Sequence, residues 1–245
     1  MVTREAFLTR LFNTWFPGIG NSLLSIFGLH ADNPKEPWAD FIVMQLVVAL
    51  IMIVLFLIMR SRLSVTKPGI LQQIFELIHG FVGDTADEQV GHEGRKHVVL
   101  FETLFVFILI SNLIGIVPQF VSPTQAIYVP CGMAILAFLY YNIVGLRKQG
   151  AWHYTKHFFG PIPVMAPLML PIEIISHLAR PLSLTIRLFA NMYAGEQVTL
   201  VFLSLTYFAI PAVFMGLHVF VALLQSYIFM LMTMIYIAGA VAEEH

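Results

Sequence analysis

Long apolar segments separated by short polar ones run through the first part of the chain. Three of them, 41–59, 98–117 and 126–145, approach the length of about 20 residues that a helix needs to cross a bilayer. Charged or turn-forming residues closely follow each segment. The pattern therefore predicts three membrane-spanning helices.

Segment 68–83 has a different pattern, with apolar side chains at helical spacing and polar side chains such as Glu76 and His79 on the opposite face. Pro68 and Gly83 are typical signals for the start and the end of a helix. A helix of this mixed character is expected to lie on the membrane surface instead of crossing it.

The segment 161–242 is apolar almost throughout but contains four charged side chains. These are Glu173, Arg180, Arg187 and Glu196. Two upright helices need only about 40 residues and a turn, so the extra length fits either four short spans or two long, tilted helices. Because the polar turns that four spans would need are missing, the sequence favours a tilted hairpin over 164–242, with helices at 164–203 and 208–242.

The predicted organisation is an N-terminal outside segment, 1–40, followed by one membrane domain, 41–245. The N-terminal segment is broken at Pro17 and has no A-x-A cleavage site, so we expect it to be retained and not removed as a signal peptide. The predicted fold class is an all-α integral membrane protein. Its parts are one N-terminal transmembrane helix, an amphipathic surface helix, a transmembrane hairpin and a long tilted C-terminal helical hairpin.

Composition agrees with a membrane protein and argues against other classes. Hydrophobic residues make up 58% of the chain and charged residues only 11%, whereas a soluble domain carries about 25% charged residues. The net charge of −1 argues against a nucleic-acid-binding protein. Cys131 is the single cysteine, and the pair His153 and His157 has no evident third ligand. We therefore expect no disulfide, no metal site and no cofactor.

Lysine and arginine are concentrated in segments 60–97 and 146–160, and none occurs in 118–125. By the positive-inside rule, the first two segments are expected in the cytoplasm. The N-terminus is then expected outside and the C-terminus inside. An N-terminus without processing favours a bacterial inner membrane over the membrane of an organelle.

The charges of the last apolar segment are the main candidates for function, because an ionised group at bilayer depth costs about 2.5–3.5 kcal/mol. At about 100° per residue, several polar side chains share the face of Arg187 and form a stripe roughly 27 Å long, provided that Pro181 does not rotate the register. The other members of this polar stripe are Glu173, Ser176, Arg180, Ser183 and Asn191. Glu196 points to the opposite side, and His218 and Gln225 share one face of the last helix, so these three could line a second polar path.

Each charged candidate also has a purely structural interpretation. Arg187 could form an ion pair within the chain, and Arg180 could support the polar stripe from its cytoplasmic end. Glu173 could be paired or could extend towards the interface, and the same extension is expected for Glu102 in the second crossing.

The second polar path has structural alternatives as well. Glu196 and His218 could form a hydrogen-bonded packing pair. Gln225 could form an ordinary interhelical hydrogen bond. The sequence leaves these alternatives open.

Two other classes of membrane protein are alternatives, a self-contained transporter or channel, in which charged residues within apolar helices also occur, and a structural scaffold. A secondary transporter or channel often shows two repeated halves with interrupted helices, and no repeat is visible here. A structural scaffold would not need an arginine within an apolar run. No G-x-x-x-x-G-K-[ST] loop for nucleotide phosphates is present, so the sequence predicts no nucleotide chemistry on this chain.

The segment Ser183–Glu196 reads SLTIRLFANMYAGE, with an acid upstream at Glu173 and a glutamine, Gln225, in the last helix. With these residues at this spacing, the chain closely resembles subunit a of the rotary F-type ATP synthase. Weaker matches are the N-L-x-G-x-x-P run at Asn112–Pro118 and the pair Pro123-Thr124. The resemblance is strongest over residues 98–245.

The resemblance implies a role for each candidate residue. Arg187 matches the stator arginine that faces the ring of c subunits. Glu196 with His218 matches the outer half-channel, and Glu173 with Ser176 matches the inner one. Asn191 and Gln225 match polar residues that line the path beside the arginine, and Arg180, Ser183 and Asn112 are expected to support it.

The resemblance also implies a non-catalytic stator subunit, which couples proton flow to ring rotation and ATP synthesis. The implied partners are the c-subunit ring, the peripheral-stalk b subunits, the remaining ATP synthase subunits and membrane lipid. Some relatives carry an acid where this chain has Gly115. The outer path would therefore rely more on Glu196 and His218 here.

Overall fold

The computed structural model describes residues 7–26, 35–65, 67–117, 120–150, 166–205 and 209–241. Within these ranges the regular elements are helices and none is a strand, which confirms the predicted all-α class. In chain order, the α-helices are α1 (Phe7–Trp15), α2 (Pro17–Ile26), α3 (Asp40–Ser61), α4 (Ile70–Val90), α5 (Val98–Ile114), α6 (Tyr128–Gln149), α7 (Ala166–Leu205) and α8 (Ala209–Val241). Two 3₁₀ helices, Gly91–His97 and Pro123–Gln125, lie before α5 and α6.

Four stretches of the described residues are long and apolar enough to cross a membrane. They are Asp40–Ser61, Glu93–Ile114, Tyr128–Gln149 and Ala212–Val241. These stretches correspond to α3, to α5 with the turn before it, to α6 and to α8. On α3, apolar side chains such as Leu50 and Leu57 are 60% and 55% exposed. Because apolar surface of this extent is unfavourable in water, we expect lipid to cover it.

Helix α4 is longer than the predicted segment 68–83. It begins at Ile70, continues through Gly83, which is buried, and ends at Val90. The helix stops where Gly91 takes a left-handed φ of 77°, a conformation that glycine adopts without a steric penalty. A glycine inside a helix costs only about 1 kcal/mol relative to alanine, so Gly83 does not end the helix.

The last part of the chain forms two long helices and not four short spans. Helix α7 has 40 residues and α8 has 33, close to the predicted 164–203 and 208–242. Residues 206–208 between them lie outside the described residues. Pro171 and Pro181 lie inside α7, and the helix continues through both. The tilt of this hairpin in the membrane remains a prediction.

The chain forms two compact units. The first unit consists of Met1–Ser61, Phe107–Val129 and Ala190–Leu223, and the second consists of Arg62–Val106, Pro130–Phe189 and Leu224–His245. Helices α7 and α8 each contribute to both units. The candidate residues are therefore described below unit by unit.

In the first unit, Asn13 joins the N-terminal helices to the segment before α3. Its Oδ1 accepts a hydrogen bond from the backbone N–H of Trp38 at 3.0 Å, and its Nδ2 donates to the Trp38 carbonyl at 3.3 Å. The indole Nε1 of Trp38 donates to the carbonyl of Phe16 at 2.9 Å. The N-terminal segment is thus helical over Phe7–Trp15 and Pro17–Ile26, and hydrogen bonds connect these helices to Trp38.

The core of the second unit consists of large apolar and aromatic side chains from α5 to α8. Side chains that are almost fully buried there include Phe101, Tyr141, Leu188, Phe229 and Met234. On α7, Leu184 and Leu188 lie one turn apart and are 2% and 0% exposed. This packing determines which face of α7 is buried, and hence which face carries the polar stripe.

Candidate functional site

In the second unit, Arg187 lies on α7 beside the buried face marked by Leu184 and Leu188. Its side chain is half-buried, and its Nη2 donates to Ser183 Oγ, one turn earlier, at 3.3 Å. Among the described residues, no acid lies within ion-pair distance of this guanidinium. The internal ion pair that was the structural alternative is therefore not formed in that part of the chain.

Arg180 lies two turns before Arg187 and is held by two tyrosines. Its guanidinium carbon is 5.3 Å from the ring centroid of Tyr236 on α8 and 6.0 Å from that of Tyr141 on α6. Both distances are typical of cation–π contacts, which stabilise a cation that has left water. These contacts favour the interpretation that Arg180 supports the polar stripe.

The rest of the stripe in the second unit is partly open. Ser176 and Ser183 are exposed, and Glu173 is half-buried. Because α7 continues through Pro181, the helical spacing on which the stripe was predicted is kept between Glu173 and Arg187.

Polar contacts that the sequence did not reveal also occur in the second unit. His177 is hydrogen-bonded to Asn142 on α6, and Glu102 forms an ion-pair contact with His79 on α4. Glu102 therefore joins two helices of its own unit. Gln225, a predicted path residue on α8, is 2% exposed. The contacts of His177 and Glu102 could not be predicted, because an apolar run of sequence does not indicate which distant helix will supply a polar partner.

In the first unit, a cavity of about 320 Å³ lies between the parts of α7 and α8 that belong to this unit. Its polar lining comes from the predicted residues Asn191 and His218, together with the backbone of Gly195. The remaining lining is apolar and consists of Ala194, Val198, Phe214, Leu217 and Val221. The structure therefore brings Asn191 and His218 together at one cavity.

Glu196 and His218 each have a buried polar atom that lacks a hydrogen-bond partner among the described residues. The atoms are Oε2 of Glu196 and Nε2 of His218, and His218 as a whole is only 8% exposed. The sequence left open that Glu196 and His218 form a hydrogen-bonded packing pair. A hydrogen bond between these two atoms is not present. Buried polar atoms normally have partners, so atoms of this kind are suited to bind water or a proton.

Asn112, which is fully buried, connects three segments of the first unit. Its Oδ1 accepts a hydrogen bond from Thr124 Oγ1 at 2.7 Å, and its Nδ2 donates to the carbonyl of Ala222 on α8 at 3.4 Å. The Thr124 hydroxyl is also 2.7 Å from Ser122 Oγ. Ala222 lies one helical turn after His218, so Asn112 supports the part of α8 that lines the cavity.

These features define an α-helical membrane protein whose two long C-terminal helices carry charged and polar side chains. In the part of the chain that the structure describes, no group of three or more His, Cys, Asp or Glu side chains could hold a metal ion. The class is therefore a multi-pass membrane protein with polar residues inside its apolar helices.

Comparison with known proteins identifies the family. The chain matches the family described as ATP synthase A chain over residues 42–238. It is 59% identical over 235 residues to ATP synthase subunit a of Solibacter usitatus, covering 96% of this chain and 100% of that protein. The identity to ATP synthase subunit a of Koribacter versatilis is 41% over 241 residues, which are 98% of each chain. The chain therefore belongs to the ATP synthase A chain family, which confirms the resemblance found in the sequence.

A more distant relative extends the same finding. The chain is 40% identical over 211 residues to ATP synthase subunit a of Geobacter sulfurreducens, covering 86% of this chain and 91% of that protein. Membership of the family makes the chain a multi-pass membrane component of the ATP synthase complex, associated with ATP synthesis and proton transport.

Proposed function

We propose that this chain is the non-catalytic stator subunit that carries protons to and from a ring of c subunits through two offset aqueous half-channels. The observation that supports this most directly is Arg187, a half-buried cation on an apolar helix without an acid partner among the described residues. A guanidinium stays charged at any physiological pH, and a cation at that depth requires a negative partner. An acid on a neighbouring rotor subunit would supply that partner.

The physical basis is the cost of moving a charged acid into lipid. A rotor carboxylate must be neutral when it faces lipid, because burying its charge is unfavourable. Beside Arg187 the ionised form is favoured instead, so the carboxylate releases its proton there and takes up another before it returns to lipid. If the two half-channels open to opposite sides, a proton crosses the membrane only by travelling with the ring.

The residues of each unit support one half-channel. In the first unit, the cavity beside Asn191 and His218, with the buried Oε2 of Glu196, supports the outer half-channel. In the second unit, the half-buried Glu173 and the exposed Ser176 support the inner half-channel. Arg187 would separate the two paths, since its positive charge repels a hydrated proton.

The proposed setting is a bacterial inner membrane, with the N-terminus outside and the C-terminus in the cytoplasm. The distribution of lysine and arginine supports this orientation. Each elementary charge that crosses 100 mV supplies about 2.3 kcal/mol, so several protons could drive one ATP synthesis elsewhere in the complex. Peripheral-stalk b subunits would hold the stator against the torque of the ring.

Crosslinking within the assembled complex tests whether the polar stripe faces the rotor. In a Cys131→Ala background, Asn191→Cys is expected to form a disulfide with a cysteine placed next to the carboxylate of the c subunit. Leu57→Cys on α3, also exposed, is the matched control and should not crosslink. Equal crosslinking from both positions, or none from residue 191, would contradict the proposal.

Reconstitution separates a stator subunit from a self-contained transporter. The purified chain alone, placed in vesicles with a proton gradient, should not conduct protons at the rate of the assembled membrane sector. Full conduction by the isolated chain would favour the transporter class, because a stator requires its ring to complete the path.

A further inference from the structure

We propose that His177 is a positioning residue that fixes the rotation of α7 against α6, and thereby the direction in which the polar stripe points. The inference rests on the proposed function, since the direction of the stripe matters only if the stripe faces a rotor. At about 100° per residue, His177 lies roughly 80° around the helix from Arg187. It therefore lies on the side of α7 that Leu184 and Leu188 mark as buried, next to the polar stripe.

Three side chains of α6 hold the ring of His177. Its Nε2 is 3.0 Å from Asn142 Oδ1, and both ring nitrogens are 3.3 Å from the hydroxyl of Tyr141. The ring of Phe138 packs against it edge to face, with 5.0 Å between centroids. Phe138, Tyr141 and Asn142 are three and four residues apart, so they lie on one face of α6. The His177 side chain of α7 is thus contacted by three residues on one face of α6.

The hydrogen bonds of Asn142 determine the direction of the bond to His177. Asn142 Nδ2 donates to the carbonyl of Phe138 at 2.7 Å, so its Oδ1 is the atom that faces the imidazole. An amide oxygen only accepts hydrogen bonds, and Nε2 of His177 must therefore carry the hydrogen. A glutamine in place of His177 could donate an N–H to Oδ1 of Asn142, whereas a leucine could not.

The contact continues to a charged member of the polar stripe. Tyr141, which contacts His177, also lies beneath the guanidinium of Arg180, and Tyr236 completes the cation–π contact. A rotation of α7 would separate His177 from Asn142 and Arg180 from both tyrosines at once. A ring that packs against Phe138 and Tyr141 and is hydrogen-bonded to Asn142 is suited to maintain this orientation.

The test uses the whole ATP synthase in inverted membrane vesicles, with ATP-driven proton pumping measured per assembled complex. His177→Leu is expected to lower pumping about threefold to tenfold, the factor expected when one neutral hydrogen bond holds the productive orientation. His177→Gln is the matched control and should restore pumping close to the wild-type rate, because it keeps a donor for Asn142. Wild-type pumping by His177→Leu, or equally slow pumping by His177→Gln, would overturn the proposal.

A second measurement reports the rotation of α7 directly. In a Cys131→Ala background, His177→Leu should weaken the crosslink between Ser183→Cys and a rotor cysteine, and His177→Gln should restore it. Leu182→Cys is the control: Leu182 is also exposed (60%) but lies about 100° from Ser183, so with His177 in place it should not crosslink to the rotor. Unchanged crosslinking at residue 183 in the His177→Leu complex would contradict the proposal that His177 fixes the rotation of α7.

Two further variants keep the test decisive. Where His177→Leu reduces assembly, Asn142→Ala removes the same hydrogen bond from α6, and unchanged pumping per complex in that variant overturns the proposal. Arg187→Ala in the same vesicles tests the proposed function itself. If Arg187→Ala abolishes pumping while the His177 and Asn142 variants are normal, only the positioning role fails. If Arg187→Ala pumps normally, the stator assignment fails.

Discussion

The backbone of Gly195 on α7 lies so close to His218 on α8 that a Cβ atom at residue 195 would be 2.6 Å from the Nδ1 atom of the imidazole. Real Cβ atoms essentially never approach another heavy atom to under 3.0 Å. Glycine at this position is therefore a steric requirement for the placement of His218 beside the cavity. The proposed outer half-channel therefore requires a residue without a side chain at position 195 as well as the polar side chains around the cavity.

Gly195→Ala should displace the imidazole of His218 and slow proton translocation. Because a misplacement of about 1 Å in a reacting group can cost up to 100-fold, we expect ATP-driven pumping per complex to fall about tenfold. The measurement is quenching of a pH-sensitive dye in inverted vesicles.

Gly216→Ala is the control for this substitution, because the space around Gly216 on the same unit is open. Alanine in a helix is favoured over glycine by about 0.5–1 kcal/mol, so this variant should pump normally. Similar loss of pumping in both variants would show that the contact with His218 is not the cause.

Arg187→Ala should abolish proton pumping, because no other cation would then favour the ionised form of the rotor carboxylate at that point. The quantity to measure is ATP-driven pumping, together with passive proton leak through membranes from which the catalytic sector has been removed. Arg147→Ala, which removes an exposed charge at the end of α6, is the control and should behave like the wild type. Coupled pumping at the normal rate by Arg187→Ala would refute the role assigned to this arginine.

Glu196→Gln should slow proton translocation without stopping it. The variant keeps the shape of the side chain but removes a proton carrier from the first unit, where His218 and water could still relay. A loss of about tenfold is expected, less than the factor of about 100 or more that a positioned acid or base usually contributes, because the relay through His218 and water remains. Rates should be measured over a range of external pH, and wild-type rates at every pH would remove Glu196 from the path.

Gly115→Ala should destabilise the first unit. A Cβ at residue 115 would lie 2.7 Å from the Cβ of Ser122, and overpacking of this kind typically costs about 1–3 kcal/mol. The expected result is a lower temperature at which the purified complex loses this subunit. Gly132→Ala, which meets no atom within 4 Å, is the control.

The variant Ser122→Gly tests whether the Cβ atom of Ser122 is responsible for the loss of stability. Gly115→Ala should cost less stability in a Ser122→Gly background than in the wild type, because the nearest clashing atom is absent there. An equal cost in both backgrounds would mean that the backbone of residue 122 sets the limit. The same close contact gives a steric reason why this chain has no acid at position 115.

The positions of the helices could be predicted because the thickness of the bilayer sets the length of an apolar run. The polar stripe could also be predicted, since Arg187 and Glu173 lie on one continuous helix with a known number of residues per turn. The end of α4 could not be predicted, because Gly83 and Gly91 are the same residue type. Only the folded chain gives Gly91 a positive φ while Gly83 stays inside the helix.

The sequence by itself determined the all-α membrane class, the two long final helices, and the family, through a short run of residues around Arg187. Only the tertiary structure decided which side chains meet: Tyr236 with Arg180, Asn142 with His177, and Gly195 with His218. The physical reason is that helical periodicity describes one helix at a time. Contacts between helices depend on how their side chains pack, and these partners are far apart in the chain.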